Sequence, residues 1–276
     1  MILSTLSACS IAVSTFGCTA DNAMQRNAFS SHRVTPSKTI IKKNYSTGNF
    51  TGIDVAQGII VHYTQKSGKP SATVKGPDNI VSLLNIGVVD STIEIRYKDN
   101  VNISYSSGDE SRYVHVYLTS PSLKELDASS GARISVTGSL DVKCHFSIDV
   151  SSGAEVSLAT LKTGEIDCNA SSGASIVISS LKAEAVDLRS SSGANIKVST
   201  LDSGTLTARA SSGADIRLVS GSSGYADYKA SSSATISAGG LSAKRGSANA
   251  SSSGTIISSI RNAEVRTSSS GSVRNR

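Results

Sequence analysis

The stretch ASSGADIRLV (Ala210–Val219) sets five small residues before an alternation in which Ile216 and Leu218 are apolar and Asp215 and Arg217 are charged. The same opening, Ser-Ser-Gly-Ala, stands at Ser129, Ser151, Ser171, Ser191 and Ser211. It recurs as Ser-Ser-Ser-Ala at Ser231 and as Ser-Ser-Ser-Gly at Ser251 and Ser268. Successive openings lie 22, 20, 20, 20, 20, 20 and 17 residues apart. A repeat of this length is the signature of a solenoid.

The evenness of the period carries the next step. Side chains alternate faces along a strand, so a 20-residue repeat returns each position to the same face. Even-numbered positions read as the interior, as in Ile166, Cys168, Ala170, Ile176 and Ile178 and their counterparts in the neighbouring repeats. A further apolar column, Leu161, Leu181, Leu201 and Leu241, is odd-numbered, so the chain must turn a corner within each repeat. Twenty residues make two or three short strands joined by bends. Stacking such coils pairs the strands in parallel about 4.8 Å apart, giving a parallel β-helix for which the handedness of parallel crossovers predicts a right-handed coil.

On the same parity argument the second serine of each motif (Ser130, Ser152, Ser172, Ser192, Ser212, Ser232, Ser252, Ser269) is expected to form an inward structural ladder, as is the residue after the third position. Serine in place of glycine at Ser233 and Ser253 predicts a bend that merely prefers glycine, because a left-handed backbone tolerates serine poorly.

The rest of the chain divides by texture. Residues 1–18, MILSTLSACSIAVSTFGC, carry no charge and read as a signal peptide with a lipoprotein cleavage box. TFGC makes Cys18 the lipid-attachment candidate; LSAC makes it Cys9 if the natural start lies upstream. Residues 19–47 are polar and basic and read as a tether. Residues 48–125 show alternating β-type runs without a visible repeat, plus a short helix signal at Asp78–Gly87 with Asp78 as its cap. They are expected to cover the first coil of the repeats at 126–276.

Of the 276 residues 38% are hydrophobic and 4% aromatic, with no Trp, leaving little for aromatic binding platforms. The formal charge of +6 sits at the ends: Arg26, Arg33, Lys38, Lys42 and Lys43 near the start, and Lys244, Arg245, Arg261, Arg266, Arg274 and Arg276 near the finish. Basic ends without a basic, aromatic-interleaved stripe argue against nucleic acid as a partner.

Candidate chemistry is sparse. Asp167 and Asp187 should stack one coil apart, close to the roughly 5 Å separation of a glycosidase carboxylate pair, although Arg189 and Lys229, two residues beyond Asp187 and Asp227 on the same face, make a solvated charge ladder the plainer reading. His32, His62, His115 and His145 share no repeat position, and no metal-ligand spacing is visible. The outward column Arg133, Glu155, Asn195, Asp215 and Thr235 is too irregular for an ice-binding face. Cys144 and Cys168 differ by 24 residues, one period plus four. Cys168 should therefore stack on Ile148, with the two cysteines about 13 Å apart and both thiols free.

These pieces in their order also resemble a known family. FTGIDVAQGIIVHYTQ (Phe50–Gln65), STIEIRYKDN (Ser91–Asn100) and VHVYLTSPSLKELDASSGARISV (Val114–Val136), followed by the SSGA coils, are similar over residues 47–258 to the bacterial family known as "putative autotransporter adhesin, head GIN domain", once catalogued as a domain of unknown function. The resemblance implies a single-stranded right-handed β-helix on an exported, often lipid-anchored protein, commonly from Bacteroidetes, with no catalytic residues. The expected fold is thus all-β, a right-handed single-stranded parallel β-helix of about 20-residue coils with a β-rich N-terminal cap.

The expected function is a non-enzymatic cell-envelope adhesin or surface-binding scaffold, with a carbohydrate-active enzyme using the stacked aspartates as the alternative. The partners are envelope or host glycans or surface proteins, without nucleic acid, cofactor or metal, and with the membrane met only through the lipid anchor. The location is the outer membrane or cell surface, with the periplasm as alternative. The last coils have no evident cap, and Arg261, Arg266, Arg274 and Arg276 form the candidate contact tip.

Overall fold

Burial along one coil shows how the chain turns. In the coil that starts at Glu155, the buried residues are Val156 and Leu158, then Leu161 and Thr163, then Ile166, Cys168 and Ala170. Steps of two within each run are strands. The steps of three between runs are corners, and the serine motif supplies a third corner, so each coil has three short faces. These are residues 155–158, 160–163 and 165–170, hydrogen-bonded to the corresponding residues of the next coil. The computed structural model describes residues 32–98, 101–104 and 112–276. Cys9 and Cys18 lie outside the described residues.

The strands are β1 (His32–Val34), β2 (Ile40–Tyr45), β3 (Gly52–Val55), β4 (Ile60–Gln65), β5 (Ser71–Pro77), β6 (Leu84–Val89), β7 (Thr92–Tyr97), β8 (Val101–Ile103), β9 (His115–Ser120) and β10 (Glu125–Ala128). The long bent strands β11 (Arg133–Val150), β12 (Glu155–Ala170), β13 (Ser175–Ser190), β14 (Asn195–Ala210), β15 (Asp215–Ala230), β16 (Thr235–Ala250), β17 (Thr255–Thr267) and the short β18 (Ser272–Asn275) follow. The helix α1 (Asp78–Val81) lies between β5 and β6. From β10 to β18 each strand pairs in parallel with the next, giving a β-solenoid of about eight turns with coils of roughly 20 residues.

The serine motif differs from expectation in a way that explains it. The second serines are exposed, not inward, and their φ angles run from 47 to 54°. The third position is also left-handed, with Gly131 at 72° and even Ser233 and Ser253 at 60 and 62°. Two consecutive left-handed residues, closed by the Ala132 amide donating to the Ser129 carbonyl at 3.1 Å, make a type I′ turn. Alternation breaks inside such a turn, so strand parity does not extend to Ser130 and its equivalents. The inward member of the motif is the fourth residue, as expected: Ala132, Ala154 and Ala174 are buried. The turn also aligns peptides along the solenoid axis. Gly131 N–H donates to Ser152 O at 3.0 Å, and Gly153 N–H to Ser172 O at 3.1 Å, so the backbone ladder runs through the corner. A Cβ at Gly131 or Gly193 would meet nothing within 4 Å, which leaves backbone strain of about 1–2 kcal/mol as the main cost of serine at that position.

The region before the repeat contains coils that the text conceals. Gly52–Val55 of β3 stack on Glu125–Ala128 of β10, and Ile60–Thr64 of β4 stack on Arg133–Thr137 of β11. Between β3 and β4, Gln57 (63°) and Gly58 (72°) repeat the left-handed pair, and Gly58 N–H donates to Ser130 O at 3.0 Å. Ala-Gln-Gly-Ile is therefore the serine turn in other letters, and the absence of a repeat before Leu126 is corrected. The coil of β7 and β9 lies outside that of β3 and β4, so spatial order departs from chain order.

Antiparallel β5 and β2 extend one face and antiparallel β6 another, while Ile80 and Val81 of α1 are buried at this end of the core. The helix forms only over Asp78–Val81, with Pro77 as its cap, while residues 84–87 of the expected span belong to β6. The Asp78 carboxylate instead accepts from Ser37 Oγ (2.5 Å) and the Asn79 amide (2.7 Å).

At the other end β18 covers only residues 255–258 of β17. Val265, which stacks on buried Ala248, is 48% exposed. Asn275 acts there as a local cap: its Oδ1 accepts from Ser258 Oγ and the Ile260 amide, and its Nδ2 donates to Ile260 O, at 2.8–2.9 Å.

Candidate binding faces

The face formed by residues 165–170 and their equivalents carries two long columns of charged and polar side chains. Its outward columns are set by register alone. One contains Glu125, Ser147, Asp167, Asp187, Thr207, Asp227, Ser247 and Glu264. Beside it run Glu94, Asp54, Asp127, Asp149, Asn169, Arg189, Arg209, Lys229, Asn249 and Arg266. The second column changes sign along its length, acidic before Asn169 and basic after it.

In the basic half the charges are paired. Arg189 and Arg209 reach Asp187 at 2.5 and 3.2 Å, and Lys229 reaches Asp227 at 3.1 Å. Asp167 and Asp187 do stack, as the spacing predicts, but Asp187 is held by two guanidiniums and Asp167 lies 3.6 Å from His145 Nε2. The plain charge ladder describes this pair.

The acidic half is different. Asp54, Asp127 and Asp149 stack on successive coils, and they line a shallow groove with Ser129, Ser151 and Ser171. Arg96 pairs with Asp54, and Asp149 accepts from Asn169 Nδ2 at 2.9 Å. Partial burial, then Glu125, Asp149 and Asp54, push the Asp127 carboxyl up from 3.8 to about 7. The sequence reading concentrated on the Asp167 column and missed this one. Its signal was present, since an aspartate stands two residues before the turn in DASSG, DVSSG and DVAQG.

The histidines are not all scattered. His62 of β4 and His115 of β9 meet with Nε2 and Nδ1 3.0 Å apart, and their rings stack at 5.3 Å with Tyr117 against His62 at 4.9 Å. Burial, with the charge of His115, pushes His62 below its ordinary value. Residues 53 apart in the chain come together because β9 adds to the sheet next to β4. Among the described residues no group of three His, Cys, Asp or Glu side chains is placed to hold a metal ion.

Cys168 is buried in register with Ile148, as the period requires, while Cys144 is exposed. Burial pushes the Cys168 thiol up. Arg261, Arg266, Arg274 and Arg276 are all exposed on the last coil and β18. They ring the end on different faces rather than forming one patch, and Arg266 lies 3.8 Å from Glu264.

The chain matches the protein family described as "Putative auto-transporter adhesin, head GIN domain" over residues 49–181 and 169–276. The chain belongs to that family. Its fold is that of solved relatives. A putative adhesin from Parabacteroides merdae is 17% identical, with a TM-score of 0.79, covering 88% of this chain and 99% of that one. A putative adhesin from Parabacteroides distasonis is 19% identical with a TM-score of 0.78, covering 88% and 100%. A third structure, a putative lipid binding protein from Parabacteroides distasonis, is 18% identical with a TM-score of 0.74, covering 88% and 99%. At these identities the likeness is one of fold. No curated protein matches the chain. No helix among the described residues is long and apolar enough to cross a membrane.

Proposed function

We propose that the protein is an exported, non-enzymatic adhesin of the cell envelope, tethered through a lipidated Cys18 or Cys9 and binding envelope or host glycans or surface proteins with the faces and end of its solenoid. Family membership across both halves of the repeat carries this reading. The fold supports it physically. Stacking coils removes the chain from competition between core and surface: the interior repeats apolar positions, and the outward columns are free to vary, as the sign change along the Asp127 column illustrates.

The test has two parts. Metabolic labelling with a palmitate analogue, in cells carrying Cys18→Ser or Cys9→Ser, identifies the tether by loss of label and of surface exposure to added protease. A glycan-binding screen with the purified chain, followed by product analysis, decides between adhesin and enzyme. Sugar bound and recovered intact supports the proposal, and cleaved sugar overturns its non-enzymatic part.

A further inference from the structure

The strands added at the N-terminal end create a feature that the repeat itself does not have. β9, β5 and β2 lie side by side on one face, and their outward residues form two columns: Lys42, Lys75 and His115, and next to it Asn44, Thr73, Tyr117 and His62. Tyr117 is 43% exposed in a chain with few aromatic residues and no Trp. His62 packs 4.9 Å from its ring at an interplanar angle of 18°, covering one side. The neighbour on the other side is Thr73, a side chain too short to cover the ring. Tyr117 and Thr73, with Ile40, Ile41, Lys42 and Lys75, line an open cavity of about 500 Å³.

Charge is the second observation. Lys42 and Lys75 stand directly opposite each other across the antiparallel pair, with no carboxylate within 4 Å of either among the described residues. Like charges directly opposed on a sheet are destabilising, and an anion between them reverses the sign of the interaction. A flat, supported aromatic ring, an apolar edge from Ile40 and two adjacent unneutralised ammonium groups match a pyranose that carries an acidic substituent. The ring takes the apolar face of the sugar, and the lysines take its carboxylate or phosphate.

We propose that this cavity is an acidic-saccharide site, with Tyr117 as the stacking platform and Lys42 and Lys75 as the anion clamp. The inference rests on the reading above that the protein binds glycans, and it names the site and the ligand class. It also differs from the arginine end in place, since the cavity belongs to the first strands and the arginines to the last coil.

The experiment uses the purified chain and three immobilised polymers: polygalacturonate, a phosphorylated mannan and neutral dextran. Expected is binding to at least one acidic polymer, about tenfold or more tighter than to dextran, and weakened by salt. The two acidic polymers separate a carboxylate from a phosphate preference. Tyr117→Ala should lower that binding about tenfold, while Tyr117→Phe keeps it. Lys42→Gln with Lys75→Gln should lower the preference over dextran and its salt dependence, and an unchanged melting temperature separates these effects from misfolding. If wild type binds acidic polymer and the Tyr117→Ala and double-lysine proteins bind as well as wild type, the site is overturned and the glycan reading survives. If wild type binds no polymer in this test or in the broader screen, both are overturned.

Discussion

Asp127 lies in register with Asp149 one coil away, so two carboxylates share a rung spacing of about 4.8 Å on a half-buried groove. Asp54 completes the stack on the other side. The repulsion and burial that push Asp127 to about 7 have a stability consequence. Between about pH 4 and pH 7 the folded chain keeps a proton that the unfolded chain has released, so stability falls as pH rises through that window. Melting temperatures of wild type and Asp127→Asn at pH 5 and pH 8 should differ: the variant loses less on going to pH 8. Equal losses would mean that Asp127 ionises normally.

The serine-for-glycine exchange at the third turn position has a measurable cost. Ser233 adopts φ 60°, a conformation glycine occupies without strain. Allowing for the greater freedom of glycine when unfolded, Ser233→Gly is expected to stabilise by about 0.5 kcal/mol, and Gly193→Ser to destabilise by a similar amount. Denaturant titrations of both variants check the pair of opposite signs.

Tyr228 is fully buried on the inward column between Ala208 and Ala248, and no protein group among the described residues accepts or donates a hydrogen bond at its Oη. A buried hydroxyl without a partner is costly, so Tyr228→Phe should raise stability by about 1 kcal/mol. A lower melting temperature for the variant would show that the hydroxyl is satisfied in solution.

The arginines at the end of the solenoid test a different part of the proposed function. Replacing Arg261, Arg266, Arg274 and Arg276 with Gln removes four exposed charges, only one of which has a carboxylate within 4 Å among the described residues. The fold should persist by circular dichroism, and attachment to cells or acidic glycan should weaken most at low salt. Unchanged attachment by the folded variant would exclude the end as a contact.

Much of this protein is written in its period. The coil length, the inward even positions, the corner at Leu161 and the stacking of Cys168 on Ile148 all follow from a repeat of 20 residues in which side chains alternate, because each depends only on neighbours in the chain and on the adjacent coil. Tertiary structure decided the remainder. The inward parity assigned to Ser130 failed because a type I′ turn interrupts alternation, and strand periodicity holds no information about φ. The coil at Gly52–Gln65 went unseen because the rung it joins is supplied by residues about 73 positions later, and backbone hydrogen bonds accept Ala-Gln-Gly-Ile as readily as Ser-Ser-Gly-Ala. His62, His115 and Tyr117 converge for the same reason: β9 pairs with β4 across a detour of the chain that no period encodes, and only the folded sheet makes those strands neighbours.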